Sequence, residues 1–173
     1  MTVVSLASVA TRPVAECDLP EILHLNARVF GPGRFTRTAY RIREGTPDIS
    51  PFCRLAHLDE RIIASIRMTE IAIGGRRGAL LLGPLAVAPE FANQGHGRRL
   101  IAESLEAARR EGRELVVLVG ARPYYGRFGF VPVPPGHIVL PGPVDPARLL
   151  ACELVTGALQ AFRGDVVGIL KTS

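Results

Sequence analysis

Leu80-Leu81-Leu82-Gly83-Pro84-Leu85-Ala86-Val87-Ala88 runs into Pro89-Glu90-Phe91-Ala92-Asn93-Gln94-Gly95-His96-Gly97 and then Arg98-Arg99-Leu100-Ile101, with a stop at Gly112. The order reads as a buried strand, a polar glycine loop and a helix. Leu100, Ile101, Leu105 and Ala108 share one helical face, and Glu106 and Arg110 form an i,i+4 pair on another. Gly83-Pro84 breaks the apolar run. Proline donates no ladder hydrogen bond and glycine weakens a strand, so a bulge or splay is expected there, with a plain edge strand as the alternative. Gly95 and Gly97 have no Cβ to keep a ligand from the backbone. The helix start adds unpaired N–H groups and the positive end of the dipole. Arg98 and Arg99 in the first turn oppose that dipole at roughly 0.3–1 kcal/mol each, a cost that a bound phosphate reverses. The competing reading is a solvated helix start carrying two unfavourable arginines.

A second informative stretch follows. Val116-Val117-Leu118-Val119-Gly120 reads as a buried strand, and Tyr124 to Phe128 as a short helix opened by Pro123. Gly129-Phe130 then closes the segment Ala121-Arg122-Pro123-Tyr124-Tyr125-Gly126-Arg127-Phe128-Gly129-Phe130-Val131-Pro132.

Together the two stretches resemble the GNAT superfamily of acyl-CoA-dependent N-acetyltransferases, in particular its small bacterial, YhbS-like branch. The family's signature is Arg/Gln-x-x-Gly-x-Gly/Ala between the fourth strand and third helix. Its loop amides hold the coenzyme A pyrophosphate, and its bulged strand pairs with the pantetheine arm. Placing Gly95 and Gly97 on the last two small positions puts Ala92 where the family has Arg or Gln, and Asn93 where glycine is common. The resemblance implies cofactor contacts from Leu85, Ala86, Val87, Ala92, Asn93, Gln94, Gly95, His96, Gly97, Arg98, Arg99 and Tyr124. The downstream segment is similar to the family's Tyr-x-x-x-Gly-Phe, whose tyrosine reprotonates the leaving thiolate; that position is Tyr125. Tyr124 is the adjacent competitor, since neighbours on a helix point about 100° apart. The two matches cover about a third of the chain.

The resemblance implies an α/β (α+β) fold: a mixed, mostly antiparallel sheet of six to seven strands, a splayed central strand pair and flanking helices. It implies one acyl-CoA N-acyltransferase domain over residues 1–173. The implied activity is acetyl transfer from acetyl-CoA to a primary amine, small-molecule or peptide, by direct attack in a ternary complex. A homodimer is one assembly such enzymes adopt. The reaction needs a neutral amine, donors for the developing oxyanion and a proton for the thiolate. For the oxyanion the family's usual answer is a backbone N–H near Leu85 to Val87. No glutamate lies between Leu80 and Ala88 to act as base, which leaves Glu70, His57, His96 and His137. Two other functions stay open: a non-catalytic acyl-CoA sensor, and a basic protein associated with nucleic acid.

Composition narrows these. The chain has 173 residues, enough for one domain with a sizeable core. The net charge of +5 comes almost wholly from arginine, with Lys171 the single lysine. Arginine suits phosphate. The arginines are dispersed, with no basic stripe or nucleic-acid motif. No apolar run approaches the roughly 20 residues needed to span a bilayer. Met1 to Ala10 lacks a charged leader and is not read as a signal peptide. Cys17, Cys53 and Cys152 are widely spaced, as expected of reduced, buried thiols in a cytoplasmic protein. No cluster has metal-ligand spacing, and no Walker loop, dinucleotide fingerprint or nucleophile elbow is present.

Around the central stretch, Thr11 to Glu16 reads as a first strand, carried by Arg12-Pro13-Val14-Ala15. Asp18-Leu19-Pro20-Glu21 reads as a capped helix start, with Ile22, Leu25, Val29 and Phe30 facing inward and Gly31-Pro32-Gly33 as the stop. A second helix is expected from Thr36 to Glu44. By resemblance, these helices shape the acceptor pocket, with Phe30, Phe35 and Tyr40 as lining or as core. Phe52 to Leu58 and Ile62 to Ile73 read as strands, and Gly74 to Gly78 as a hairpin tip. His137 to Leu140 and Asp165 to Leu170 are weaker strand signals. Arg148 to Val155 suits a final strand, with a helix as the alternative.

Overall fold

The computed structural model describes residues 8–173. Residues 1–7 of the N-terminal stretch and the side chains of Phe35 and Thr36 lie outside the described residues. The chain runs β1 (Ala10–Pro13), α1 (Leu19–Phe30), α2 (Thr38–Arg43), β2 (Arg54–Leu58), β3 (Arg61–Ile73), β4 (Arg76–Val87), α3 (His96–Arg110) and β5 (Leu115–Val119). It continues through α4 (Arg122–Tyr125), β6 (Val131–Pro132), β7 (Ile138–Val139), β8 (Leu149–Glu153), α5 (Ala158–Ala161) and β9 (Gly164–Gly168).

The sheet is mixed and mostly antiparallel. Seven strands follow the order β1-β2-β3-β4-β5-β8-β6, and β9, with β7 beside it, pairs with the end of β3 that β2 leaves open. Among the described residues it therefore has nine strands. The count exceeds the expected six to seven: β7 and β9 fall on the weaker strand signals at His137 to Leu140 and Asp165 to Leu170, and the two-residue β6, which carried none, is made a strand by its pairing with β8. β8 is followed by β9, so Leu149–Glu153 is not the last strand. β4 and β5 are parallel, as a crossover through α3 requires.

The β4–β5 pairing positions the site. It stops at Leu81↔Val117, although β4 continues to Val87 along β3 and β5 to Val119 along β8. The two strands diverge beyond that point, leaving one edge of β4 open. A bulge accompanies the divergence. Met68 pairs with Leu82 and Ile66 with Leu85, so Gly83 and Pro84 together oppose Arg67. One extra residue reverses the alternation of faces. Leu80 and Leu82 pack on the α3 side before the bulge, and Leu85 and Val87 do so after it, while Ala86 and Ala88 pack beneath α1.

Helix α3 forms because its sequence is rich in Ala, Leu, Glu and Arg and has one continuous apolar face. Leu100, Ile101, Leu105 and Ala108 are buried on the sheet; complete burial of each larger side chain is worth about 1.5–3 kcal/mol. The helix ends where Arg113 N–H returns to Ala108 O at 3.0 Å, a Schellman closure.

Asp18 does not cap α1. Its carboxylate accepts from Ala15 N–H (2.8 Å) and from both terminal nitrogens of Arg12. Glu21 reaches across to accept from Ile62 N–H at 2.9 Å instead of closing a capping box. These acids join elements that sequence spacing alone does not bring together. Cys53 and Cys152 are buried, as expected, but Cys17 is exposed, because its 3-10 turn precedes α1 on the surface.

Candidate active site

The loop between β4 and α3 supplies backbone donors. Ala88 N–H donates to Ile63 O at 2.8 Å. By the period of two, Ala86 shares that direction toward β3, and the backbone groups of Leu85 and Val87 turn to the open edge. The first hydrogen bond closing α3 runs from Arg99 N–H to Gly95 O at 3.1 Å. The amides of His96, Gly97 and Arg98 therefore emerge from the helix start without an intrahelical acceptor. Gly95 is left-handed (φ 87°, ψ 3°), and no side chain caps the helix.

The departures from the family motif now have a physical reading. Asn93 sits at φ 61°, and asparagine is among the few non-glycine residues that tolerate this region. It thus fills a position that elsewhere calls for glycine. Ala92 is extended and exposed, and offers no guanidinium. Arg98 is exposed and has no hydrogen bond or ion pair among the described residues. Arg99 turns away, donating to Glu103 Oε1 (3.3 Å) and Val9 O (3.2 Å). The Gln94 amide lies 3.5 Å from Glu90 O. The His96 ring leans on Phe91 with centroids 6.2 Å apart, and its Nε2 is buried without a partner, so its backbone amide is what it offers a ligand.

Gly97 is where the two informative stretches meet. A Cβ there would lie 2.9 Å from Tyr124 Oη, 3.5 Å from Val87 Cγ2 and 3.7 Å from Leu85 Cδ2. Tyr124 thus stands over the helix start, beside the open edge of β4. Its neighbour Tyr125 turns to the other wall. A Cβ on Gly120, at the end of β5, would lie 2.6 Å from Tyr125 Cε2, and the ring packs on Phe130 with centroids 5.9 Å apart. The tyrosine rings meet edge to face at 4.9 Å. Burial pushes the Tyr125 phenol up to about 12, with Tyr124 adding to the shift. Burial also raises Tyr124, against the pull of Arg98 and Arg127. Neither hydroxyl has a hydrogen bond among the described residues.

Three of the four candidate bases are engaged elsewhere. Glu70 pairs with Arg113 at 2.5 Å, near the far end of α3. His57 Nδ1 bonds the turn carbonyl of Asp59 at 2.8 Å. His137 is buried against Leu159 O. Sequence reasoning passed over Glu90, which anchors the loop between Arg28 of α1 and Arg61 of β3. Hydrogen bonding, from Arg28 foremost, holds its carboxyl down at about 2. It also passed over Arg43 and Arg67, which lie at the bulge. No spacing signal marks these residues, because each acts across elements distant in sequence.

Residues 51–132 match the family profile described as Acetyltransferase (GNAT) domain. The Escherichia coli K12 protein YjhQ, named as an uncharacterized N-acetyltransferase, is 30% identical over 118 residues, covering 66% of this chain. The match spans 65% of that curated relative's length. Among solved structures, the E. coli GNAT protein YhbS, crystallised with CoA, has a TM-score of 0.79 at 24% identity, covering 93% of this chain and 89% of its own. A Brucella melitensis GNAT acetyltransferase, crystallised with acetyl-CoA, has a TM-score of 0.62 at 25% identity, covering 84% of this chain and 96% of its own. The chain belongs to the GNAT superfamily.

Proposed function

We propose that residues 1–173 form one acyltransferase domain that uses acetyl-CoA to acetylate a primary amine by direct attack in a ternary complex. The observation that carries this is the open edge of β4 beyond Leu81↔Val117, running into a helix start whose His96, Gly97 and Arg98 amides have no intrahelical acceptor. Acetyl-CoA, when bound, supplies an acetyl group activated as a thioester. The backbone of Leu85 and Val87 is suited to pair with an extended arm, and the three amides to take a pyrophosphate. The exposed Arg98 is suited to a further phosphate. The CoA and acetyl-CoA named in the YhbS and Brucella structures support this ligand class.

Tyr125 is the proposed proton donor to the leaving thiolate. With its phenol held near 12 it stays protonated at neutral pH, as a donor must. Tyr124 is the second candidate, because its hydroxyl stands beside Gly97, Leu85 and Val87. Phenylalanine at each position, assayed by thiol release, separates them: the donor's loss lowers kcat with little change in acetyl-CoA affinity. Engagement of Glu70, His57 and His137, with His96 Nε2 buried, favours a reaction that uses no strong protein base. It also favours, as a second reading, an acyl-CoA sensor, which single-turnover acetyl transfer to an amine panel would refute.

Calorimetric titration with acetyl-CoA, and with dephospho-CoA as control, tests the central claim. Micromolar binding that weakens in Arg98→Ala, or without the ribose phosphate, is expected. No binding of acetyl-CoA or of longer acyl-CoAs would refute it.

A further inference from the structure

Beside the Gly83–Pro84 bulge, a cleft of about 130 Å³ is lined by Asn26, Ser65, Ile66, Arg67 and Pro84, among others. It lies between α1 and the β3–β4 pair, where β4 begins to diverge from β5. Arg43, the last residue of α2, reaches the same bulge: a Cβ on Gly83 would lie 3.5 Å from Arg43 Nη2.

The charges here are incompletely paired: Arg67 has Asp48 at ion-pair distance, and Arg43 has no carboxylate among the described residues. Arg43 Nε is buried without a hydrogen-bond partner, and the side chain has no carboxylate partner among the described residues. The ionisable groups acting on it are Arg67, Arg37 and Tyr40. Burial first, then the two arginines, push its guanidinium down to about 10. Arg67 donates through Nη2 to Thr46 Oγ1 and Pro47 O, both at 3.1 Å, but its Nε is also buried and unpartnered. Asp48 Oδ1 stands 3.8 Å from Arg67, beyond a hydrogen bond, and the same carboxylate is shared with Lys171 at 3.4 Å. Asn26 Oδ1, on the cleft wall, is a buried acceptor with no donor.

Buried polar groups in native structures have partners, and an unpaired buried charge is costly. Arg67 and Asn26 on the cleft wall, with Arg43 reaching the adjacent bulge, present two guanidinium Nε–H groups and one amide oxygen, the complement of a carboxylate and an amine N–H. We infer that Arg43 and Arg67 bind a carboxylate carried by the acceptor, so that the amine substrates are of amino-acid type, with Asn26 Oδ1 accepting a hydrogen bond from the amine N–H. This rests on the acetyl-transfer reading above and narrows its substrate class.

The test compares α-amino acids and dipeptides, each as the free acid and as the C-terminal amide, by thiol release from acetyl-CoA. The free acids should have kcat/KM at least about tenfold above their amides, the scale of a charge-assisted hydrogen bond. Arg43→Met should bring that ratio to within about twofold of unity, and Arg43→Lys should keep part of it. The Met variant removes a buried unpaired charge, so its urea midpoint should not fall. Equal rates for acids and amides, or an unchanged ratio in Arg43→Met, overturn the inference.

A second arm needs no turnover. The Nε–Hε NMR signals of Arg43 and Arg67 are followed during addition of N-acetyl amino acids, their amides, and acetate. Shifts with the N-acetyl acids alone support the inference, whereas equal shifts with acetate at the same concentration show an adventitious anion only and overturn it. Calorimetry with acetyl-CoA separates the two claims. Signals that respond to the acids without acetyl-CoA binding would refute acetyl transfer and leave the carboxylate site. Acetyl-CoA binding with silent arginine signals would do the reverse.

Discussion

Adding one methyl group at Gly97 should test how the helix start and the α4 tyrosines are joined. The Gly97→Ala Cβ meets Tyr124 Oη at 2.9 Å, while its contacts with Val87 (3.5 Å) and Leu85 (3.7 Å) are ordinary van der Waals distances. The hydroxyl of Tyr124 is thus the atom in the way. Overpacking costs typically 1–3 kcal/mol, and the obstacle is the end of a side chain, so about 1 kcal/mol is expected. For a chain of this size that corresponds to a Tm lower by about 2–4 °C. Tyr124→Phe removes the obstructing oxygen, so the double variant should regain most of the loss, a coupling of about 1 kcal/mol in a double-mutant cycle. Urea unfolding of the four proteins measures it, with m-values checked for constancy. Additivity within about 0.3 kcal/mol would refute the contact, and with it the placement of Tyr124 over the proposed cofactor loop.

Three further outcomes follow from other parts of the structure. With the Tyr125 phenol near 12, the proton donor should stay protonated through pH 10; a kcat/KM profile limited by a phenol near pH 10 would contradict it. Asp18 is held below the usual carboxylate range, chiefly by hydrogen bonding to Arg12. Its stabilisation is therefore complete above the unfolded value of about 3.9 and is lost as pH falls through the folded value. Asp18→Asn should lower the urea midpoint at pH 7 and flatten its dependence between pH 5 and acid, and an unchanged dependence would count against the pair. Ser104 is buried and donates to Phe52 O at 2.8 Å. Ser104→Ala should cost about 1–3 kcal/mol in urea unfolding, since the buried carbonyl is left unpaired; a cost near zero would mean that water replaces the hydroxyl.

The site was partly legible in the sequence, and the reasons are local. Gly95, Gly97 and the apolar stripe from Leu100 to Ala108 announce a helix whose start is bare. Gly83-Pro84 announces the bulge, and it occurs there, opposite Arg67. The two tyrosines were legible as a pair but not as individuals. Their ring directions depend on Gly120 and Gly97, which belong to different elements. Asn93, a departure from the family pattern on paper, fits once its φ of 61° is known. The arginines at the bulge carried no periodic signal, and Asp18 and Glu21 serve Ala15 N–H and Ile62 N–H instead of the helix cap their spacing suggests.

What the sequence determined by itself is whatever depends on near neighbours. This includes the strand–loop–helix unit, the stops at Gly31 and Gly112, the reversed chain at Gly74-Gly75, and the buried stripe of α3. Backbone preference and hydrophobic period act over a few residues, so they can be read along the chain. Tertiary structure alone decided where β5 leaves β4, which backbone edge is left open, and which tyrosine faces which wall. It also decided that Val131–Pro132 pairs as a strand, and that Arg43 reaches the bulge beside the cleft lined by Arg67, with no carboxylate hydrogen-bonded to either among the described residues. Each of these depends on which distant segments occupy the neighbouring space, and burial sets the electrostatic consequence only after that space is filled.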